Sequence, residues 1–125
     1  MVVDDDPVQR NVVQTTLDSL GYQAESVSSG EDAVAHMRGH TCDLVILDMA
    51  MDGIDGTETL RQIKLLHPQQ RAIILSGFAR SERVDEALRL GAAAFVAKPV
   101  QTGVLAKAVY DALQSENRVP VSSDP

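Results

Sequence analysis

Asp43-Leu44-Val45-Ile46-Leu47-Asp48 is the stretch on which the fold turns. Four consecutive apolar residues leave no polar face, and a strand covered on both sides reads this way. The run closes on an acid, Asp48, and a loop with two glycines follows at 49–56. Residues 72–75, Ala-Ile-Ile-Leu, repeat the pattern and end in Ser76-Gly77. Residues 93–97 form a further strand, closed by Lys98-Pro99.

Helical spacing fills the gaps between these strands. Residues 1–3 are a short apolar run before Asp4-Asp5-Asp6. Asp6 can cap a helix, and Pro7 suits its first turn. Val8, Val12, Val13, Leu17 and Leu20 then recur at helical intervals up to Gly21. Residues 22–27 alternate weakly and read as a strand. Ser28 and Ser29 precede a short helix carrying Ala33, Val34 and Met37, which stops near Gly39. A third helix points Leu60, Ile63 and Leu66 inward and ends before Pro68. A fourth runs from Ser81 through Val84, Ala87 and Leu88 to Gly91. A fifth, 102–113, carries Leu105, Ala108, Val109 and Ala112 on one side.

Five strands separated by helices predict an α/β fold, a doubly wound, five-stranded parallel sheet with helices on both faces. Its crossovers should be right-handed. Residues 1–114 should form one domain. Residues 115–125, with two prolines and no periodicity, read as a flexible tail or linker. The first strand starts almost at Met1, so native residues are expected upstream.

Composition narrows the function classes. The 125 residues are 44% hydrophobic and 23% charged, an ordinary globular balance with one core. Aromatics are 3% and Trp is absent, so Val, Leu, Ile and Ala must fill the interior. A net charge of −7 argues against direct nucleic-acid binding, which calls for a basic face. One cysteine, Cys42, permits no internal disulfide and fits a cytoplasmic location. No apolar run approaches the ~20 residues of a membrane span, and no secretory leader is evident.

In open α/β sheets, ligands bind beyond the carboxyl ends of the strands. Those ends carry Asp4, Asp5 and Asp6, then Asp48, Ser76 and Lys98. Three carboxylates that close repel one another and raise a pKa unless a cation relieves them. Mg²⁺ is the hard ion that takes one or two carboxylates plus phosphate oxygens. Asp48 is the candidate nucleophile, because a carboxylate can attack phosphorus to give an aspartyl phosphate. Lys98 and Mg²⁺ would neutralise the phosphoryl oxygens, and Ser76 would donate one hydrogen bond to them.

Plainer readings stand beside these. Asp6 is better read as a helix cap than as a third ligand, and Asp55-Gly56 as a turn. His36, His40 and His67 lack acids or cysteines at metal spacing and read as surface residues. Cys42 reads as a small packed residue.

The acidic run after the first strand, Asp43–Asp48 with Met49-Ala-Met-Asp-Gly53, Leu75-Ser-Gly77 and Val96-Ala-Lys98-Pro99 together resemble the receiver domain of response regulators. The resemblance runs up to the tail. It implies a flavodoxin-like (βα)5 sheet of strand order 2-1-3-4-5. It implies Mg²⁺ or Mn²⁺ held by Asp5, Asp48 and the backbone carbonyl of Ala50, with Asp4 acting through water. It makes Asp48 the phosphoacceptor, Ser76 the switch hydroxyl, Phe95 the switch aromatic and Lys98-Pro99 a cis bond. The phosphoryl donor would be a sensor histidine kinase or a histidine phosphotransfer domain. The only catalysis expected is of the domain's own phosphorylation and dephosphorylation. A homodimer could form through the fourth helix, fifth strand and fifth helix.

Three departures from the family pattern stand out. Asp52 replaces a usual proline, Phe95 has no hydroxyl, and Ala50 with Phe78 cannot readily activate a water, so a persistent phosphoryl group is expected. Segment 74–84 resembles receivers at the ends of hybrid histidine kinases. A competing enzyme reading exists. Asp4-Asp-Asp6-Pro-Val8 fits the Asp-x-Asp-x-(Thr/Val) motif of haloacid-dehalogenase-like phosphatases, with Asp4 as nucleophile and Asp6 as general acid. It leaves Asp48 unexplained and lacks an acidic pair after Lys98.

Overall fold

Side-chain alternation along the apolar strands decides which helices cover which face. The computed structural model describes residues 1–51, 55–77 and 82–114. Expectations for Asp52, Gly53, Phe78, Ser81 and the tail at 115–125 lie outside the described residues. The elements alternate throughout: β1 (Val2–Val3), α1 (Pro7–Ser19), β2 (Ser26–Val27), α2 (Gly30–Met37), β3 (Val45–Asp48), α3 (Gly56–Leu66), β4 (Ala72–Ser76), α4 (Glu82–Arg89), β5 (Ala94–Ala97) and α5 (Thr102–Gln114). The sheet is parallel with strand order β2-β1-β3-β4-β5, as expected of a doubly wound fold.

Val3, Val45, Leu47, Ala72 and Ile74 point to one side and pack with Ala33, Met37, Leu60, Ile63, Val84 and Ala87 of α2, α3 and α4. Their neighbours Val2, Ile46, Ile73, Leu75 and Val96 point to the other side and pack with Val13, Leu17, Leu105, Val109 and Ala112 of α1 and α5. β3 and β4 are buried along their whole length, which is why they read as unbroken apolar runs. Each fully buried Leu or Ile contributes about 1.5–3 kcal/mol.

Strand and helix limits are set locally. Gly21 and Gly91 adopt φ of 93° and 108°, the left-handed conformation that lets the chain turn off α1 and α4. β2 is only Ser26–Val27, shorter than the expected 22–27. As an edge strand it pairs on one side only, and its two residues are half-exposed, so weak alternation overstated its length.

One helix-face expectation is corrected. Leu66 is 39% exposed, not inward, because it lies in the last turn of α3, beyond Leu60 and Ile63. Val8 and Val12 are 71% and 47% exposed, and α1 buries only Val13 and Leu17 against the sheet. The histidines are also not uniformly superficial. His67 is half-buried, and its Nε2 donates to the Met37 carbonyl at 2.7 Å, tying α3 to the end of α2. His36 is half-buried too. It stacks on His40 with ring centroids 4.4 Å apart and lies 3.6 Å from the Glu25 carboxylate. No helix among the described residues is long and apolar enough to cross a membrane.

Candidate functional site

Strand register gathers the expected residues. Val3 is level with Leu47, so Asp4 and Asp48, one residue on, leave the sheet side by side. Ser76 is level with Ala97, and Lys98 follows at once. The Lys98 N–H donates to the Ser76 carbonyl at 2.8 Å, and the Lys98-Pro99 bond is cis.

Carboxylate oxygens of Asp4, Asp5 and Asp48 all lie within 4.8 Å of one another. Asp48 is 2% exposed and Asp4 fully buried. The Lys98 ammonium donates to Asp48 Oδ1 at 2.7 Å, and the Ala50 N–H donates to the same oxygen at 3.2 Å. The site thus sets three acids and one ammonium at the carboxyl ends of β1, β3 and β5. Ser76 stands at the end of β4, one strand from Asp48. Phe95 lies in β5 and is half-buried against the core under α2–α4.

Asp4 is held by its own helix. The Asp6 N–H donates to Asp4 Oδ1 at 2.9 Å, and Gln9 Nε2 donates to Oδ2. Arg10 donates to the Asp4 carbonyl at 2.7 Å. Burial nevertheless pushes the Asp4 carboxyl above the usual carboxylate range, and the nearby Asp48 charge adds to the rise. The hydrogen bonds from Asp6 and Gln9 oppose it. Sequence reasoning missed Gln9 and Arg10. Their position one turn after the cap residue Asp6, on the side facing back to the strand, is the signal that would have found them.

The donor set fits a hard divalent cation. Its members are all oxygen, two are withdrawn from water, and a cation would offset both the burial that chiefly raises Asp4 and the Asp48 charge that adds to it. Asp6 takes no part. Its side chain accepts from the Val8 and Gln9 N–H groups as the N-cap of α1. That removes the general acid of the phosphatase alternative.

Glycine at 56 closes the site from below. A Cβ there would stand 2.7 Å from the Asp48 carbonyl oxygen and 2.8 Å from Met49 Cα. The residue opens α3 rather than completing a turn, with Asp55 as its N-cap accepting from the Glu58 N–H at 2.9 Å. A cavity of about 400 Å³ opens beside Asp48, lined by Met49, Ala50, Ser76, Lys98 and, from α4, Glu82 and Arg83. Cys42 is half-buried and burial pushes its thiol up, which fits an inert packed residue.

Comparison with known proteins agrees with this architecture. A family profile described as the response regulator receiver domain matches residues 1–110. The chain is 36% identical over 113 residues to the transcriptional regulatory protein ZraR of Salmonella typhimurium, covering 90% of this chain and 26% of that protein. It therefore spans about a quarter of that relative's length. It is 30% identical over 114 residues to the chemotaxis protein CheY of Bacillus subtilis, covering 90% of this chain and 95% of that protein. The crystal structure of the receiver domain of NtrX from Brucella abortus superposes with a TM-score of 0.86 at 30% identity, covering 92% and 98% of the two chains. None of these similarities points to a haloacid-dehalogenase-like phosphatase, and that reading falls.

Proposed function

The chain belongs to the response regulator receiver domain family, and from that membership we propose that residues 1–114 form a phosphoacceptor switch that takes a phosphoryl group on Asp48. The observation that carries the reading is the Lys98 ammonium at 2.7 Å from a buried Asp48 carboxylate, with two further carboxylates within 4.8 Å.

Asp5, Asp48 and the Ala50 carbonyl would hold Mg²⁺ or Mn²⁺, with Asp4 acting through water. Such an ion supplies positive charge that offsets the carboxylates and the phosphoryl oxygens. The chain's own residues do the rest. An Asp48 oxygen attacks phosphorus of a phosphohistidine on a sensor kinase or phosphotransfer domain. The P–O bond forms as the P–N bond breaks, and the departing imidazole keeps the bonding pair and takes up a proton. Lys98, already on Asp48, moves its ammonium to a phosphoryl oxygen, and the Ser76 hydroxyl donates to another.

Replacing the carboxylate charge by a phosphoryl group of about −1.5 to −2 biases two packings of the sheet edge. Phe95 repacks, and the face of α4, β5 and α5 changes shape. On α5, Val104 and Tyr110 are 50% and 57% exposed. The carboxylate-rich site and lone cysteine suit a cytoplasmic setting beside the kinase. Residues 115–125 would lead onward as tail or linker.

The test is incubation with acetyl phosphate and Mg²⁺, followed by intact-mass measurement. Wild type should gain one phosphoryl group and Asp48→Asn none. Equal labelling of the two would mean that another residue is the acceptor.

A further inference from the structure

Two arginines stand at the seam between α3 and α4, and they are held very differently. Arg61 pairs with Glu58 in its own helix and with Glu86 of α4 at 2.8 Å. Arg83, near the start of α4, reaches the Asp55 carboxylate at only 3.9 Å, beyond hydrogen-bond distance. Its side chain is 61% exposed. Yet Arg83 lines the cavity beside Asp48, together with Ala50, Ser76 and Lys98.

Resting on the reading of Asp48 given above, we propose that Arg83 is a second phosphoryl-binding cation: it leaves Asp55 and binds phosphoryl oxygens on Asp48, pulling the start of α4 to the site. The phosphoryl group brings three strong acceptor oxygens and more charge than the carboxylate it replaces. Lys98, now on Asp48 Oδ1, is a single point charge, and its move to one phosphoryl oxygen leaves others to be met. A guanidinium presents paired donors that match two phosphoryl oxygens at once. Glu82 lines the same cavity and its carboxylate opposes an anion there, which Arg83 must offset. Among the described residues, the pair that holds Arg83 is the long, solvated one with Asp55. Arg61 keeps the middle of α4 on α3 meanwhile, so the motion is a pivot of the helix start.

Beryllofluoride with Mg²⁺, titrated calorimetrically into the full chain, tests this. Wild type should bind and Asp48→Asn should not. If wild type fails to bind, the reading of Asp48 fails before this one is reached. Given wild-type binding, Arg83→Ala should weaken affinity about tenfold, and Arg83→Lys should restore only part of it. Asp55→Asn keeps the α3 cap while freeing Arg83, and should tighten binding by roughly threefold. Equal affinity of Arg83→Ala and wild type overturns the proposal. Should Arg83→Ala not fold, unchanged affinity of Asp55→Asn overturns it.

Discussion

Asp4 concentrates the cost of the site in one side chain. It is fully buried, faces Asp48, and has its carboxyl pushed up by burial first and by that charge second. A raised native pKa means that the folded chain binds this proton more tightly than the unfolded chain does. Stability from it is full below the ordinary carboxylate pKa and is lost as pH rises through the raised one. In EDTA, Asp4→Asn should therefore stabilise the fold by about 1 kcal/mol at neutral pH. Its amide can still accept from the Asp6 N–H, and Gln9 can turn its carbonyl toward it. The gain over wild type should shrink towards zero as pH falls into the carboxylate range. Urea unfolding of both proteins from acid to neutral pH checks this, and a pH-independent difference would contradict it. Asp4, Asp5, Asp48, Ser76 and Lys98 were all legible as candidates because each ends a strand. Gln9, Arg10 and Arg83 were not, because they reach the site from helices, and spacing along a helix does not say where a long side chain ends.

The first turn of α3 shows how an element fixes site geometry. Asp55 caps it, and Gly56 lets its backbone lie against Asp48 and Met49 at distances that no Cβ tolerates. The contacting atoms are mostly backbone, so they cannot swing aside. Gly56→Ala should cost about 1–3 kcal/mol through overpacking, despite alanine's better helix propensity. It should also slow acetyl-phosphate labelling, since relief requires α3 and the Asp48 loop to part. Chemical denaturation and labelling kinetics measure the two effects, and a stabilised Gly56→Ala would refute the close approach. In the sequence this glycine looked like half of a turn, because composition shows a glycine's freedom and not its neighbours. Buried strands were legible from their unbroken apolar runs. Leu66 was misread, and Val8 and Val12 of the α1 stripe lie outward, because helical spacing marks an apolar stripe without saying how much of it the sheet covers.

At the scale of the molecule, two opposed cores grip one sheet, and the acids sit where that sheet ends. The fold thus holds negative charges together that would separate on unfolding, so an ion bound only by the folded chain should stabilise all of it. At a Mg²⁺ concentration a hundredfold above its dissociation constant the gain is about 2.7 kcal/mol. For a domain of this size that is roughly 10 °C in melting temperature. EDTA should reverse it, and Asp5→Ala should lose most of it. The effect must also shrink on acidification. Between the ordinary carboxylate pKa and the raised one of Asp4, the folded protein carries a proton where the ion's field would act, and each Mg²⁺ bound must displace it. Melting curves with and without Mg²⁺ at several pH values read both trends together. A magnesium-independent melting temperature at neutral pH would mean that the three carboxylates share their pocket without a cation, and the charge-relief argument for this site would have to be abandoned.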